Sequence, residues 1–91
     1  MDPNGSGFAE ESDMEQKIKQ DIHLGANIKA IRKKRKIKQT DLVGLLQLEG
    51  VDMTREALVK IENGSQHIRA TQLRAIRDAL QTTYDDLLTE G

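Results

Sequence analysis

Cysteine is absent from this chain, so neither a disulfide nor a thiolate metal site can hold it together. That absence suits a reducing compartment and leads us to expect a cytoplasmic protein. Tryptophan is missing too, and Phe8 and Tyr84 are the only aromatic residues, so a core here must be built from Leu, Ile and Val. Runs of large aliphatic residues stop at two, as in Leu45-Leu46. Nothing of that kind spans a membrane or forms the apolar heart of a signal peptide. With 91 residues there is room for one small domain and one core.

The chain also lacks a large net charge, at −1, but that figure averages two unlike segments. Residues 1–23 set Lys17 and Lys19 against six acids, a net of −4, whereas residues 24–91 carry +3. The first dozen residues include the Gly/Pro/Asn/Ser-rich stretch Met1–Gly7 and read as a disordered tail, 1–12. An acidic arm follows over 13–23. Ser12-Asp-Met-Glu15 has the form of a capping box, and Met14, Ile18 and Ile22 recur every fourth residue. This segment is either a helix ended near Gly25 or a frayed acidic arm. Residues 24–91 form the folded domain.

Within it the apolar spacing is helical throughout and no strand pattern occurs. A first helix over Asn27–Lys36 carries Ile28 and Ile31 and ends in cations, which suit the negative end of a helix dipole. A second runs from Gln39 to about Leu48, with Gly50 as its left-handed stop. Thr54 is placed to cap a third helix, which Asn63-Gly64 ends. A fourth carries Leu73, Ile76, Ala79 and Leu80, and Thr83-Tyr-Asp-Asp86 opens a short fifth that contains Leu87 and Leu88. The expected fold is all-α, five compact helices with room for an additional N-terminal one.

The third helix is the informative one. Ala57, Leu58 and Ile61 fall on one face, while Arg55, Glu56, Val59 and Lys60 fall on the other. A short helix with a buried face and exposed cations near its start has the form of a probe for base edges in the major groove.

Taken in order, Ile28-Lys-Ala-Ile-Arg32, Lys38-Gln-Thr-Asp-Leu-Val43, Leu58-Val-Lys-Ile-Glu-Asn-Gly64, Leu73–Leu80 and Tyr84–Leu88 resemble the helix-turn-helix regulators of the phage lambda-repressor and Cro type, also called the xenobiotic-response-element family. The resemblance covers about residues 24–88. It implies a lambda-repressor-like fold and sequence-specific binding to double-stranded operator DNA by a prokaryotic or phage transcription regulator, in the manner of a repressor. A homodimer on a palindromic site is the expected arrangement, because one module reads too few base pairs. The resemblance implies a structural ion pair between Arg32 and Glu62. It assigns Gln39 to a phosphate and Arg55, Glu56 and Lys60 to bases. Lys36, Lys38, Asn63 and Arg69 join Gln39 as expected phosphate contacts, and His67 is a further candidate donor. Dimerisation is expected through the last helix, with Leu87 and Leu88, or through the arm's Met14, Ile18 and Ile22.

The chain departs from the usual family pattern at four places. Seven residues, Gln47–Met53, separate Leu46 from Thr54 where a short turn is common. Val43 stands where a small alanine is usual, with room to push two helices apart. Lys38 stands where a Ser/Thr cap is usual. The loop Ser65–Arg69 keeps only Arg69 as a permanent charge. Neither His23 nor His67 has a partner at metal-ligand spacing, so no metal is expected. No cofactor, small-molecule ligand or enzymatic chemistry is expected: Glu10-Glu11 and Asp85-Asp86 have no nucleophile beside them. The rival reading is a protein-interaction module, antitoxin or anti-repressor, that keeps this scaffold without binding DNA.

Overall fold

The computed structural model describes residues 23–89, and among these the regular structure is entirely helical. Five helices follow in order: α1 Leu24–Lys34, α2 Gln39–Leu48, α3 Arg55–Glu62, α4 Ala70–Ala79 and α5 Tyr84–Leu87. No helix among them is long and apolar enough to cross a membrane. The arm's expected capping box and apolar stripe lie outside the described residues.

One aliphatic core joins all five helices. Ile28, Leu42, Leu46, Leu58, Ile76, Leu80 and Leu87 have no exposed surface, and Met53 is 2% exposed. Helix α3 packs on α1 and α2, α4 packs on α2, and α5 closes against α1. Asn27 fastens that last contact, since its Nδ2 donates to the carbonyls of Leu87 (2.8 Å) and Thr89 (2.7 Å).

The four longer helices end in the same way. In each, the amide two residues past the C-cap bonds back to a carbonyl in the last turn, as Val51 does to Leu46 and Ser65 to Lys60. This geometry requires a left-handed residue just past the cap. Gly50 (φ 79°) and Gly64 (φ 84°) supply it after α2 and α3 as expected, whereas Lys36 (φ 60°) and Gln81 (φ 53°) supply it after α1 and α4. The Arg35 guanidinium donates to the Gln81 carbonyl at 2.9 Å, joining those two helix ends.

Two expectations need correction. Gly25 does not end an arm helix. It lies in the first turn of α1, which starts at Leu24 rather than Asn27, and a Cβ there would overlap the Ile61 carbonyl oxygen. Only glycine lets α1 approach the end of α3 so closely. Leu87 cannot serve a dimer surface in this fold, because it is fully buried; Leu88 remains 40% exposed. Val43, which stands where a small alanine is usual, lies in the core at 8% exposure.

The long α2–α3 connection is ordered by side chains. Helix α2 runs to Leu48, Gly50 turns the chain, and Gln47 Nε2 donates to the Met53 carbonyl at 2.9 Å. From α4, buried Gln72 donates to the Asp52 carbonyl at 3.1 Å and accepts from the Arg69 amide at 2.9 Å. Backbone groups that the longer turn would otherwise leave without partners are thereby satisfied.

Candidate nucleic-acid interface

The placement of α3 starts with its cap. Thr54 Oγ1 accepts from the Ala57 amide at 3.0 Å, which fixes where the helix begins. From that start Leu58, Ile61 and Glu62 turn inward, and Arg55, Glu56 and Lys60 remain exposed. Val59, expected on the outer side, is half-buried between the two faces.

The far end of α3 is held by charge. Arg32 and Glu62 are 7% and 6% exposed, and their groups meet as a fork. Arg32 Nε donates to Glu62 Oε2 at 2.7 Å and Nη2 donates to Oε1 at 3.1 Å. The remaining Nη1 donates to the Ile37 carbonyl at 2.9 Å, so every guanidinium nitrogen has a partner. Gln39 Nε2 adds a third donor to Glu62, at 3.1 Å from Oε1. One carboxylate therefore ties α1, the start of α2 and the end of α3 together. Glu62 is accordingly a structural residue and does not face outward.

Beside α3, next to this buried pair, the structure gathers cations. A shallow hollow is lined by Lys29, Arg32 and Lys33 from α1, Lys38, Gln39 and Thr40 at the start of α2, and Arg55 from α3. Helix α2 has no side-chain cap, because Lys38 occupies the cap position and has no acceptor to offer. Its first amides therefore open toward a cationic hollow. This combination of unpaired N–H groups, a positive dipole end and lysines suits a phosphate.

Of the residues expected to touch DNA, the hollow brings Lys38, Gln39 and Arg55 together. Glu56 and Lys60 share the exposed side of α3 with Arg55. Other candidates lie apart. Asn63 is at the far end of α3, where its Oδ1 accepts from the Ser65 amide and hydroxyl. Arg69 lines a separate depression together with Arg74 and the acids Glu49, Asp52 and Asp78. Lys36 is exposed at the turn after α1 but does not line the hollow. Lys29 was not among the expected contacts, and Lys33 stood out only as part of the cationic run Arg32–Lys36. Their spacing of four puts them on one helical face, and that signal is visible once α1 is assigned.

A helix-turn-helix family model matches residues 28–87, well over half of the chain. The chain belongs to the Cro/C1-type helix-turn-helix family. Comparison with curated proteins and with solved structures gives no match. Members of this helix-turn-helix family are DNA-binding transcription regulators, generally without enzymatic activity, and the five-helix architecture agrees with that assignment. Among the described residues no group of His, Cys, Asp and Glu is arranged to hold a metal ion.

Proposed function

We propose that this helix-turn-helix domain binds operator DNA in a sequence-specific manner and acts as a transcriptional repressor. Helix α3 enters the major groove, and α2 lies across the backbone with its uncapped start at a phosphate. The observation that carries this reading is the convergence of Arg55, Lys38, Gln39, Lys29 and Lys33 on one hollow beside the exposed face of α3. Arg55 reads a guanine through paired donors, Glu56 accepts from a cytosine amino group, and Lys60 reaches a base further along the groove. Gln39 keeps an amide hydrogen free for a phosphate while its other bonds Glu62. Lys29, Lys33 and Lys38 supply affinity that depends on salt but not on sequence. Among the other expected phosphate contacts, Lys36 remains exposed, whereas the surroundings of Asn63 and Arg69 favour them less. Two copies bind two half-sites of a palindrome, since a single module contacts too few base pairs for selective binding.

The −4 charge of residues 1–23 favours a second reading, a protein-interaction module in which the arm opposes phosphate approach. Binding of the full chain to mixed-sequence duplexes over a salt series separates the two. DNA binding predicts that log affinity falls linearly with log salt, with a slope of roughly 0.9 per phosphate neutralised and several units in total. Absence of binding at low salt supports the interaction module instead.

A further inference from the structure

The tripeptide Asn-Gly-Ser occurs twice in this chain, at Asn4–Ser6 and at Asn63–Ser65. An asparagine followed by glycine is chemically vulnerable. The next backbone nitrogen attacks the side-chain amide, and no Cβ on the glycine obstructs the approach. At the second occurrence the structure shows what governs that reaction. Asn63 is the exposed C-cap of α3, with φ −92° and ψ 3°. A ψ near zero sets the Gly64 nitrogen over Asn63's own nitrogen. From there it stands about a third of a turn around the Cα–C bond from the side chain it would attack.

Both reacting groups are also engaged. The Gly64 amide donates to the Ile61 carbonyl at 3.1 Å. Asn63 Oδ1 accepts from the Ser65 amide at 3.0 Å and from the Ser65 hydroxyl at 2.6 Å. The Ser65 amide donates to the Lys60 carbonyl as well, at 2.9 Å. Turning ψ toward the side chain therefore breaks the bonds that close α3.

We propose that Asn63 is a latent deamidation site, gated by opening of the end of α3. Once the turn opens, the Gly64 nitrogen bonds to Asn63 Cγ and gives up its proton, and Nδ2 departs as ammonia. Water then opens the cyclic imide at either carbonyl, leaving aspartate or its β-linked isomer. Neither step needs an oxidant or a cofactor. Both products place negative charge at the carbonyl end of α3, where the helix dipole disfavours it. The β-linked product also adds a methylene to the main chain, which displaces Gly64 and Ser65 from their bonds to Ile61 and Lys60. This chemistry does not rest on the DNA-binding reading.

The test incubates the full chain at mildly alkaline pH, with and without denaturant, and follows both Asn-Gly-Ser sites by peptide mass. In denaturant the two share one local sequence and should convert at similar rates. Without denaturant Asn63 should convert at least roughly tenfold more slowly than with it, because it waits for local opening. Ser65→Ala removes the hydroxyl contact and leaves the backbone intact. It should speed conversion of Asn63 in the folded protein and leave the denatured rate unchanged. The purified β-linked product should have a folding constant roughly tenfold lower, through the loss of one or two backbone hydrogen bonds. Equal rates at Asn63 with and without denaturant overturn the gating, as does a folded-state rate that Ser65→Ala leaves unmoved. Absence of conversion at Asn63 in denaturant overturns the site itself.

Discussion

Two Arg–carboxylate pairs in this domain make a useful contrast. Arg32–Glu62 is almost fully buried and links three helices, whereas Arg77–Asp78 joins neighbouring residues on the surface of α4, with the Asp78 side chain 63% exposed. Their shortest contacts, 2.7 and 2.8 Å, are nearly the same. Environment alone separates them. In water the attraction is screened and is offset by side-chain entropy, while in the core each member depends on the other to avoid a stranded charge. The buried pair therefore sets where α3 sits, and the exposed one adds little. Arg77 contributes more through its guanidinium, which lies 4.6 Å from the centre of the Tyr84 ring and covers it.

The largest expected effect comes from breaking the buried pair. Glu62→Ala should cost about 3–5 kcal/mol by leaving Arg32 buried and unpaired. That is a large share of the roughly 5–15 kcal/mol available to a natural domain, and chemical denaturation would read it directly. Gly25→Ala perturbs the same α1–α3 contact without touching charge, and should cost about 1–3 kcal/mol through overpacking against the Ile61 carbonyl. A Gly25→Ala variant as stable as the wild type would mean that α1 and α3 are held apart in solution. Lys36→Gly should stabilise by about 1 kcal/mol, because glycine adopts φ 60° without the penalty lysine bears there. The smallest effect is assigned to Asp78→Ala, below about 1 kcal/mol. If Asp78→Ala matched Glu62→Ala, burial would not be what distinguishes the pairs.

Much of this was legible in the sequence where the signal is local. The Thr54 cap and the Gly50 and Gly64 stops each depend on one residue and its immediate neighbours. Arg32 and Glu62 were legible only through the family resemblance, since 30 residues separate them. The misreadings share a cause. Gly25 looked like a stop because its real partner, the Ile61 carbonyl, is distant in sequence. Leu87 ends a helix of four residues and Leu88 is its C-cap, so the helix is too short for periodicity to show which of the two points inward. Lys36 hides a helix end inside a run of cations, where no glycine marks it. The hollow takes residues from three helices, so Lys29 gained meaning only once α1 and α2 were placed. Gln72 gave no signal, because its role is a bond across 20 residues to the Asp52 carbonyl.

The hollow also yields a graded test of the DNA-facing side. Lys29→Gln and Lys33→Gln should each reduce the salt slope of duplex binding by about 1 while leaving sequence preference intact. The most direct measurement is selection from random duplexes by the wild type and by Arg55→Ala. If α3 reads bases from its exposed start, the variant should lose about 1–3 kcal/mol of discrimination at one base pair and keep the rest of the consensus. A consensus identical at every position would contradict that placement of α3.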